Sequence, residues 1–257
     1  MKVAITTSAK MTQEKRAHAK KIADELSLPY IERKDNSLQQ VWGHYETLFV
    51  WTATGWEAQN KEGNRYAYHP GTAMFRYKRW KLGEREPFIE AVDLKRGDSF
   101  LDCTFGFGSD CLMASLAVGK EGQVFAVEKS AILAFLFERS QFTTDLRFAE
   151  LNEALKRIIF SQGDAVDFLK NQADNSYDVV YIDPMFEQEI EESTNFQTHK
   201  KFAATDQLTQ EWVKEAVRVA RRRVVLKAHF TSELFNQYGF EQLHRKSSKF
   251  HFGVLTL

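Results

Sequence analysis

Residues 100–116, FLDCTFGFGSDCLMASL, restrict the possible folds of this chain more than any other stretch. They begin with apolar residues that end at Asp102, as expected for a buried strand. Gly106 and Gly108 follow, and glycine allows a sharp turn and the approach of a ligand without a Cβ in the way. From Ser109 onward, apolar residues recur at helical spacing. The stretch therefore predicts a strand, a tight glycine turn and a helix, which is the first unit of a nucleotide-type βαβ fold.

Strand-like and helical segments alternate after this unit, which is typical of a parallel sheet covered by helices on both faces. Further strands are predicted at residues 122–127, 157–160, 177–182 and 222–227. A last pair, residues 240–245 and 250–255, is separated by a short polar turn and is predicted to be antiparallel. The expected fold class is therefore α/β and Rossmann-like, with a mostly parallel seven-stranded sheet that includes a C-terminal antiparallel strand pair.

The chain before this region has a different pattern. A helix is predicted at residues 12–26, with Thr12 as its N-cap. Strand-like segments are predicted at residues 3–7, 29–32 and 46–52, and residues 56–58 could pair with 65–68. Residues 1–70 are therefore predicted to form a small N-terminal α+β domain. Residues 71–98 are predicted to form a basic helical linker. Residues 99–257 then form the main α/β domain.

Composition limits the classes of partner and compartment. The formal net charge is zero, so a nucleic acid would have to bind at a local basic patch. Cys103 and Cys111 lack the paired spacing of a zinc site and are predicted to be reduced core cysteines. The histidines are scattered, and no metal site is predicted. No apolar run approaches the roughly 18 residues of a membrane span, and we expect a cytoplasmic protein without a membrane partner.

Residues 74–85, MFRYKRWKLGER, are the candidate local patch. Aromatic residues alternate there with basic ones, which suits the binding of RNA phosphates and the stacking of bases. The alternative is an amphipathic linking helix with a solvated basic face. The candidate RNA-binding residues of this segment are Arg76, Lys78, Arg79, Lys81 and Arg85.

Four acidic residues follow four predicted strands: Asp102, Glu128, Asp164 and Asp183. Ligands of open α/β sheets bind beyond the carboxyl ends of the strands. Glu128 lies about twenty residues after the glycine turn, where an acid can accept hydrogen bonds from both hydroxyls of a ribose. Asp164 could accept a hydrogen bond from an adenine amino group. For each acid taken alone, a helix N-cap is the alternative interpretation.

The glycine turn also indicates which ligands are excluded. The chain has no Gly-Lys-Ser/Thr sequence and therefore no P-loop. Acidic residues around the turn would repel a pyrophosphate, whereas they suit a cationic ligand. S-adenosylmethionine (SAM), with its sulfonium and α-amino group, is such a ligand. The turn residues predicted to contact it are Asp102, Thr104, Gly106 and Gly108.

The motif Asp183-Pro184-Met185-Phe186 follows the apolar strand predicted at residues 177–182. Proline removes a backbone donor, so the preceding carbonyl and the Asp183 carboxylate form a pair of acceptors. Such acceptors can orient an exocyclic amino group toward a methyl donor, and Phe186 could stack on the base. The alternative is a simple turn. All four residues are candidate catalytic residues.

The segments FLDCTFGFGSD, AVEKS, GDA, VVYIDPMF and RVVLK, together with KRWKLGEREPFIEAV upstream, resemble the class I SAM-dependent methyltransferases. More closely, they resemble the RsmJ-type small-subunit rRNA guanine-N2 methyltransferases. The resemblance covers roughly residues 74–257, and its most specific piece is the DPMF motif.

The resemblance implies roles for individual residues. Ser109 and Asp110 would contact the cofactor at the glycine turn, Glu128 and Lys129 its ribose, and Asp164 and Ala165 its adenine. Asp183 would lie between the cofactor and the target base. Lys227 would face the same cleft and is a further candidate for binding the substrate or RNA.

Two features depart from this family. The family often has arginine at the position of Ser109, and residues 187–192, EQEIEE, are acidic where the rRNA enzymes are more basic. The leading hypothesis is an rRNA guanine-N2 methyltransferase. The alternatives are a methyltransferase for a protein amide or small amine, and a non-catalytic RNA- or partner-binding module of the same fold.

Overall fold

The computed structural model describes residues 2–34, 36–184, 202, 207–246 and 248–257. These residues form two compact units. The first comprises the described residues up to Tyr68 together with 135–140 and Phe202, and the second comprises the rest.

The first unit is built on a four-stranded sheet in the order β1-β2-β3-β4, in which β1 and β2 are parallel and the other pairs antiparallel. Its elements are β1 (Val3–Thr7), α1 (Gln13–Glu25), α2 (Leu38–Val41), β2 (Thr47–Trp51), β3 (Trp56–Asn60) and β4 (Arg65–Ala67). The Thr12 hydroxyl accepts a hydrogen bond from the Lys15 amide and caps α1, as its sequence predicts.

One N-terminal strand prediction is wrong. Residues 29–32 do not form a strand, and Tyr30 makes a single bridge to Ile5. The predicted pairing of residues 56–58 with 65–68 is confirmed by the register of β3 and β4.

The second unit begins with two helices and continues with alternating strands and helices. The helices are α3 (Ala73–Lys81), α4 (Pro87–Val92), α5 (Ser109–Val118), α6 (Ala131–Ser140, whose last residues belong to the first unit), α7 (Ala149–Lys156), α8 (Ala165–Lys170), α9 (Gln210–Val219) and α10 (Leu234–Gln237). The strands are β5 (Ser99–Asp102), β6 (Gln123–Glu128), β7 (Ile158–Gln162), β8 (Tyr177–Ile182), β9 (Ala220–His229), β10 (Glu241–Leu243) and β11 (Phe250–Thr256).

The seven strands form one sheet in the order β10-β11-β9-β8-β5-β6-β7. Strands β7, β6, β5, β8 and β9 are parallel, because each of their neighbouring pairs has parallel register. Strand β11 lies antiparallel between β9 and β10. The predicted Rossmann-like sheet with its C-terminal antiparallel pair is therefore confirmed.

The core explains why β5 and β8 lie in the middle of this sheet. In β8 every residue except Asp178 is buried, as expected for a parallel strand covered on both faces. Leu101, Val180 and Leu226 from neighbouring strands pack with Trp212 and Ala216 of α9 in one apolar cluster. Burial of each large apolar side chain stabilises this arrangement by about 2 kcal/mol.

None of the helices within the described residues combines the length and the apolar character that crossing a bilayer requires.

Candidate active site

The four predicted acids lie at one edge of the seven-stranded sheet. Asp102 and Glu128 are the last residues of β5 and β6. Asp183 comes directly after β8, and Asp164 follows β7 with Gly163 between them. Because these strands are parallel, their carboxyl ends meet at the same edge. The structure thus brings together the acids that the sequence singled out.

The glycine turn after β5 is tied to the end of β6. The Gly106 amide donates a hydrogen bond to Glu128 Oε2 over 2.9 Å. Gly106 and Gly108 have φ values of 55° and 68°, a conformation that favours glycine. A Cβ on Gly108 would come within 2.3 Å of the Phe105 ring, so the turn also lacks the space for a side chain.

Glu128 is held by two backbone amides. Besides Gly106, the Ser130 amide donates to Glu128 Oε1 over 2.8 Å, and only 7% of the residue is exposed. The carboxylate is thus fixed in orientation beside the turn.

Asp164 is a helix N-cap, the alternative that its sequence position suggested. Its Oδ1 accepts hydrogen bonds from the amides of Val166 and Asp167 in α8. Its Oδ2 lies 3.0 Å from Lys129 Nζ. Burial raises the pKa of Asp164, but Lys129 and the helix amides outweigh it, and the net pKa is lowered. Ala165 is the first residue of α8 and is buried.

Thr104 connects the ends of β5 and β8. Its amide donates to Asp102 Oδ1 over 2.9 Å, and its hydroxyl accepts from the Asp183 amide over 2.7 Å. Asp102 is 1% exposed. Burial raises the pKa of Asp102 well above its usual value, and the nearby carboxylates of Asp110, Asp183 and Glu128 raise it further.

A cluster of charged side chains surrounds Asp110 at the first turn of α5. Arg76 Nη1 lies 2.5 Å from Asp110 Oδ1, and the Tyr181 hydroxyl donates to Asp110 Oδ2 over 2.7 Å. Lys227 Nζ lies 3.2 Å from the same Oδ2 and 2.6 Å from Asp183 Oδ2. We call Arg76, Glu86, Asp110, Tyr181, Asp183 and Lys227 the Asp110 cluster.

The charged groups of this cluster shift one another's pKa values. Burial alone would raise the pKa of Asp110, but Lys227 and Arg76 outweigh it and hold the pKa below its usual range. Burial raises the pKa of Asp183, and Lys227 opposes this shift only in part. Burial lowers the pKa of Lys227, whereas Asp110 and Asp183 raise it by more, so the ammonium stays charged.

Two members of the Asp110 cluster were missed in the sequence. Glu86 accepts a hydrogen bond from Arg76 Nε over 2.8 Å and also caps α4 through the Ile89 amide. Its place directly before Pro87 is a helix-start signal that could have been noticed. Tyr181 looked like an ordinary core residue of an apolar strand, and no local signal marks its hydroxyl.

The five predicted basic residues fall into two groups. Arg76 points inward, with 19% of its side chain exposed, and its Nη1 donates to Ser109 Oγ over 3.0 Å. A guanidinium therefore reaches the position where the resembled family often has arginine. The prediction that Arg76 contacts RNA stays a prediction, and its side chain is already bound to two carboxylates.

The other basic side chains are exposed. Arg79, Lys81 and Arg85 pair with Glu84, Glu150 and Glu90, respectively, and keep 68%, 55% and 86% of their side-chain surface. Lys78 is exposed as well. Of the interleaved aromatic residues, Tyr77 is buried, whereas Phe75 is 72% exposed.

The structure describes the first two residues of the DPMF motif. Asp183 is partly exposed and Pro184 is buried. Met185, Phe186 and the acidic segment 187–192 lie outside the described residues. Within the described residues, no group of three or more His, Cys, Asp or Glu side chains is placed to hold a metal ion.

Comparison with known proteins identifies the family. The family model described as "Putative SAM-dependent methyltransferase" matches residues 32–253. The chain belongs to this SAM-dependent methyltransferase family. SAM is accordingly its cofactor.

Relatives of this methyltransferase agree with the resemblance noted in its motifs. It is 39% identical to the uncharacterized protein YpiP of Bacillus subtilis over 98% of both chains. It is 28% identical to ribosomal RNA small subunit methyltransferase J of Thioalkalivibrio sulfidiphilus, over 70% of this chain and 72% of that protein. The resemblance to the RsmJ-type methyltransferases is thereby confirmed.

A solved structure has the same fold. The crystal structure of a SAM-dependent methyltransferase from Neisseria gonorrhoeae matches 98% of this methyltransferase and 95% of its own chain, with a TM-score of 0.61 and 17% sequence identity. The methyltransferase therefore has the class I fold that its motifs predict.

Proposed function

We propose that this methyltransferase transfers the methyl group of SAM to the exocyclic N2 of a guanine in small-subunit rRNA. The names of the RsmJ-type relatives support an rRNA acceptor. The resemblance of the DPMF motif to guanine-N2 methyltransferases supports the choice of the amino group. The observation that carries the proposal is the position of Asp183, which is bonded to the glycine turn through Thr104.

The residues at the sheet edge fit SAM. When bound, SAM supplies an electrophilic methyl group on a positively charged sulfur. The carboxylates of Asp102, Asp110 and Asp183 suit a ligand with a sulfonium and an ammonium group. The turn at Gly106 and Gly108 presents backbone without side chains.

The remaining proposed cofactor contacts lie at the same edge of the seven-stranded sheet. Glu128, with Lys129 beside it, is placed to accept hydrogen bonds from the ribose hydroxyls. Asp164 and Ala165 would contact the adenine, with Asp164 already oriented by the amides of α8. Ser109, next to Asp110, completes the predicted contacts at the glycine turn.

Asp183 and the Pro184 carbonyl would hold the acceptor amine. Asp183 Oδ2 is bonded to Lys227, whereas Oδ1 has no hydrogen bond to any residue that the structure describes. Oδ1 and the carbonyl can each accept an N–H of the amino group and so orient its nitrogen toward the methyl group. Catalysis is then mostly positioning and electrostatics. Met185 and Phe186, with Phe186 stacking on the base, belong to the proposal by sequence alone.

Exposed basic residues of α3 and the following loop would hold the RNA. Surface ion pairs such as Arg79–Glu84 and Arg85–Glu90 contribute little to stability, so RNA phosphates can replace the carboxylates. Lys78 and Lys81 extend the same basic surface, and Phe75 is exposed for stacking on a base.

A methyl-transfer assay tests the proposal. Small ribosomal subunits from a strain lacking this gene should accept label from radioactive SAM at a guanine N2, identified by mass spectrometry of the digested rRNA. Subunits from the wild-type strain should accept little, because the site is already methylated. Asp183→Ala should lower kcat by about 100-fold or more, while Asp174→Ala, at an exposed position, should not.

Two results would count against the proposal. One is the absence of label in subunits of either strain when the protein binds SAM in calorimetry. The other is label in a ribosomal protein instead of rRNA, which would favour the protein amide as the acceptor.

A further inference from the structure

Lys227 lies between two carboxylates at the carboxyl end of the sheet. It is part of β9, and its Nζ lies 2.6 Å from Asp183 Oδ2 and 3.2 Å from Asp110 Oδ2. Its neighbour Leu226 pairs in register with Ile182, the last residue of β8. The backbone therefore holds Lys227 beside the residue that follows β8, which is Asp183.

We propose that Lys227 is a positioning residue that fixes Asp183 Oδ2, so that Oδ1 faces the amine that receives the methyl group. The inference rests on the proposed function, because it takes Asp183 as the group that contacts the acceptor. It replaces the role of RNA or substrate contact that the sequence suggested for Lys227.

The bonding capacity of an ammonium group supports this role. Lysine has three N–H donors and no acceptor, and two of the donors of Lys227 are directed at carboxylates. Only 25% of the Lys227 side chain is exposed. A phosphate contact would have to break these bonds at a largely buried site, where losing one partner of an ion pair costs several kcal/mol.

The rest of the Asp110 cluster holds Lys227 in place. Asp110 is itself bonded to Arg76 and to the Tyr181 hydroxyl, and Arg76 is bonded to Glu86. These partners come from α3, the loop before α4, α5 and β8, so the position of Lys227 is fixed from several directions. Asp183 keeps 27% of its side-chain surface exposed.

The charges around Asp183 explain why a cation is needed there. Asp110 from α5 and Asp102 from β5 disfavour a negative charge on Asp183, and Arg76 from α3 offsets them only in part. The Tyr181 hydroxyl from β8 is neutral, because burial raises its pKa, and it donates its hydrogen bond to Asp110. With Lys227 the cluster holds two cations and three carboxylates. Burial raises the pKa of Asp183, and Lys227 opposes this rise. Without Lys227 one cation remains in the cluster, so the pKa of Asp183 should rise further and its ionised form should become less favourable.

The first test measures Asp183 directly and needs no acceptor. Protein with ¹³C-labelled aspartate carboxyls is titrated by NMR, and the Asp183 signal is assigned by its absence in Asp183→Asn. In Lys227→Met its midpoint should rise by about one pH unit or more. Lys227→Arg should restore the wild-type midpoint in large part.

The matched control is Lys170→Met. Lys170 lies at the end of α8 in an exposed pair with Glu211, outside the candidate site. Its replacement should leave the Asp183 midpoint unchanged. The same midpoint in Lys227→Met as in wild type would overturn the inference. If Lys227→Met does not fold, Lys227→Gln, which keeps an N–H donor without the charge, is titrated in its place.

The second test separates positioning from RNA binding. With small subunits from the deletion strain as substrate, Lys227→Met should lower kcat at pH 7 by about tenfold or more and leave KM for the subunits within about twofold. The acidic limb of the pH–rate profile of Lys227→Met should move to higher pH, in parallel with the NMR midpoint of Asp183. A raised KM with an unchanged kcat would show a phosphate contact and overturn the inference.

The two proposals fail in different ways. If the wild-type protein binds SAM but methylates no subunits, the proposed function is contradicted, and the NMR titration still decides the role of Lys227. If wild type is active and Lys227→Met has the wild-type kcat and pH profile, the inference alone is wrong.

Discussion

Glu128 illustrates how the fold prepares a single side chain for a ligand. Its carboxylate accepts one hydrogen bond at each oxygen, from the Gly106 amide at Oε2 and from the Ser130 amide at Oε1. Hydrogen bonds that orient a carboxylate in advance reduce the entropy that binding must remove. The proposed ribose contact therefore depends on a group that does not have to reorganise.

We predict that Glu128→Gln weakens SAM binding by about tenfold or more, because a hydrogen bond to a charged group contributes about 1.5–3 kcal/mol. The glutamine side chain would also place its NH₂ group against the backbone N–H of either Gly106 or Ser130, which both donate to Glu128. Isothermal titration calorimetry measures the affinity.

Glu153→Gln is the matched control, because Glu153 is exposed in a surface pair with Lys156 and should not affect binding. Wild-type affinity in Glu128→Gln would contradict the ribose contact.

At the residue scale, the sequence indicated most of the acids but not their partners. Asp102, Glu128 and Asp183 were found because each follows an apolar strand. The Asp110 cluster was not found, because Arg76, Asp110 and Lys227 are far apart in the chain and only tertiary packing joins them. Asp164 has both features at once, a strand-end acid and a helix cap.

Among the elements, α3 has two chemically different sides. It buries Ala73 and Tyr77, and Arg76 turns inward to Asp110. Phe75, Lys78 and Arg79 are exposed. The two interpretations of this segment, linking helix and RNA-binding surface, are therefore compatible within one helix.

We predict that replacing Lys78, Arg79, Lys81 and Arg85 together by alanine weakens RNA binding and makes it less dependent on salt. Each lost phosphate contact should lower the slope of log K against log salt by about 0.7. Binding of a small-subunit rRNA fragment, measured at several salt concentrations, tests this.

The carboxylates that pair with these basic side chains provide a control in which negative instead of positive charge is removed. Combined Glu84→Gln, Glu90→Gln and Glu150→Gln removes negative charge and releases Arg79, Arg85 and Lys81, so RNA binding should stay equal or become tighter. Equal weakening in both variants would show that the basic residues act through stability and not through RNA.

The sequence predicted which strands exist more accurately than where each strand begins and ends. The alternation of apolar strands and helices correctly predicted the seven-stranded sheet. Strand β9 extends over Ala220–His229, beyond the predicted residues 222–227, because pairing with β8 and β11 continues past its apolar centre. Sequence patterns do not contain this information, since it depends on the length of the neighbouring strands.

For the molecule as a whole, zero net charge hides strong local electrostatics. Burial raises the pKa of Asp110, but Lys227 and Arg76 lower it by more, to below its usual range. A carboxyl with a lowered folded-state pKa contributes stability above its unfolded pKa of about 3.9, and loses it as the pH falls through the folded value.

We therefore predict that wild type exceeds Asp110→Asn in free energy of unfolding by a constant amount above about pH 5, and that this difference shrinks below about pH 4. Denaturant unfolding at a series of pH values measures it. Asp174→Asn, at an exposed ion pair, should differ little from wild type at any pH. A difference for Asp110→Asn that grows on acidification would contradict the ion-pair account.

The strand order has a consequence for biosynthesis. On the ribosome, β5, β6 and β7 can pair before β8 has been translated, because they are consecutive in the chain and adjacent in the sheet. Asp102, Glu128 and Asp164 emerge with that early half, whereas Asp183 and Lys227 arrive with β8 and β9. A nascent chain would thus complete its proposed nucleoside-binding side first, and would gain the residues proposed for methyl transfer only after β8 and β9 have been translated.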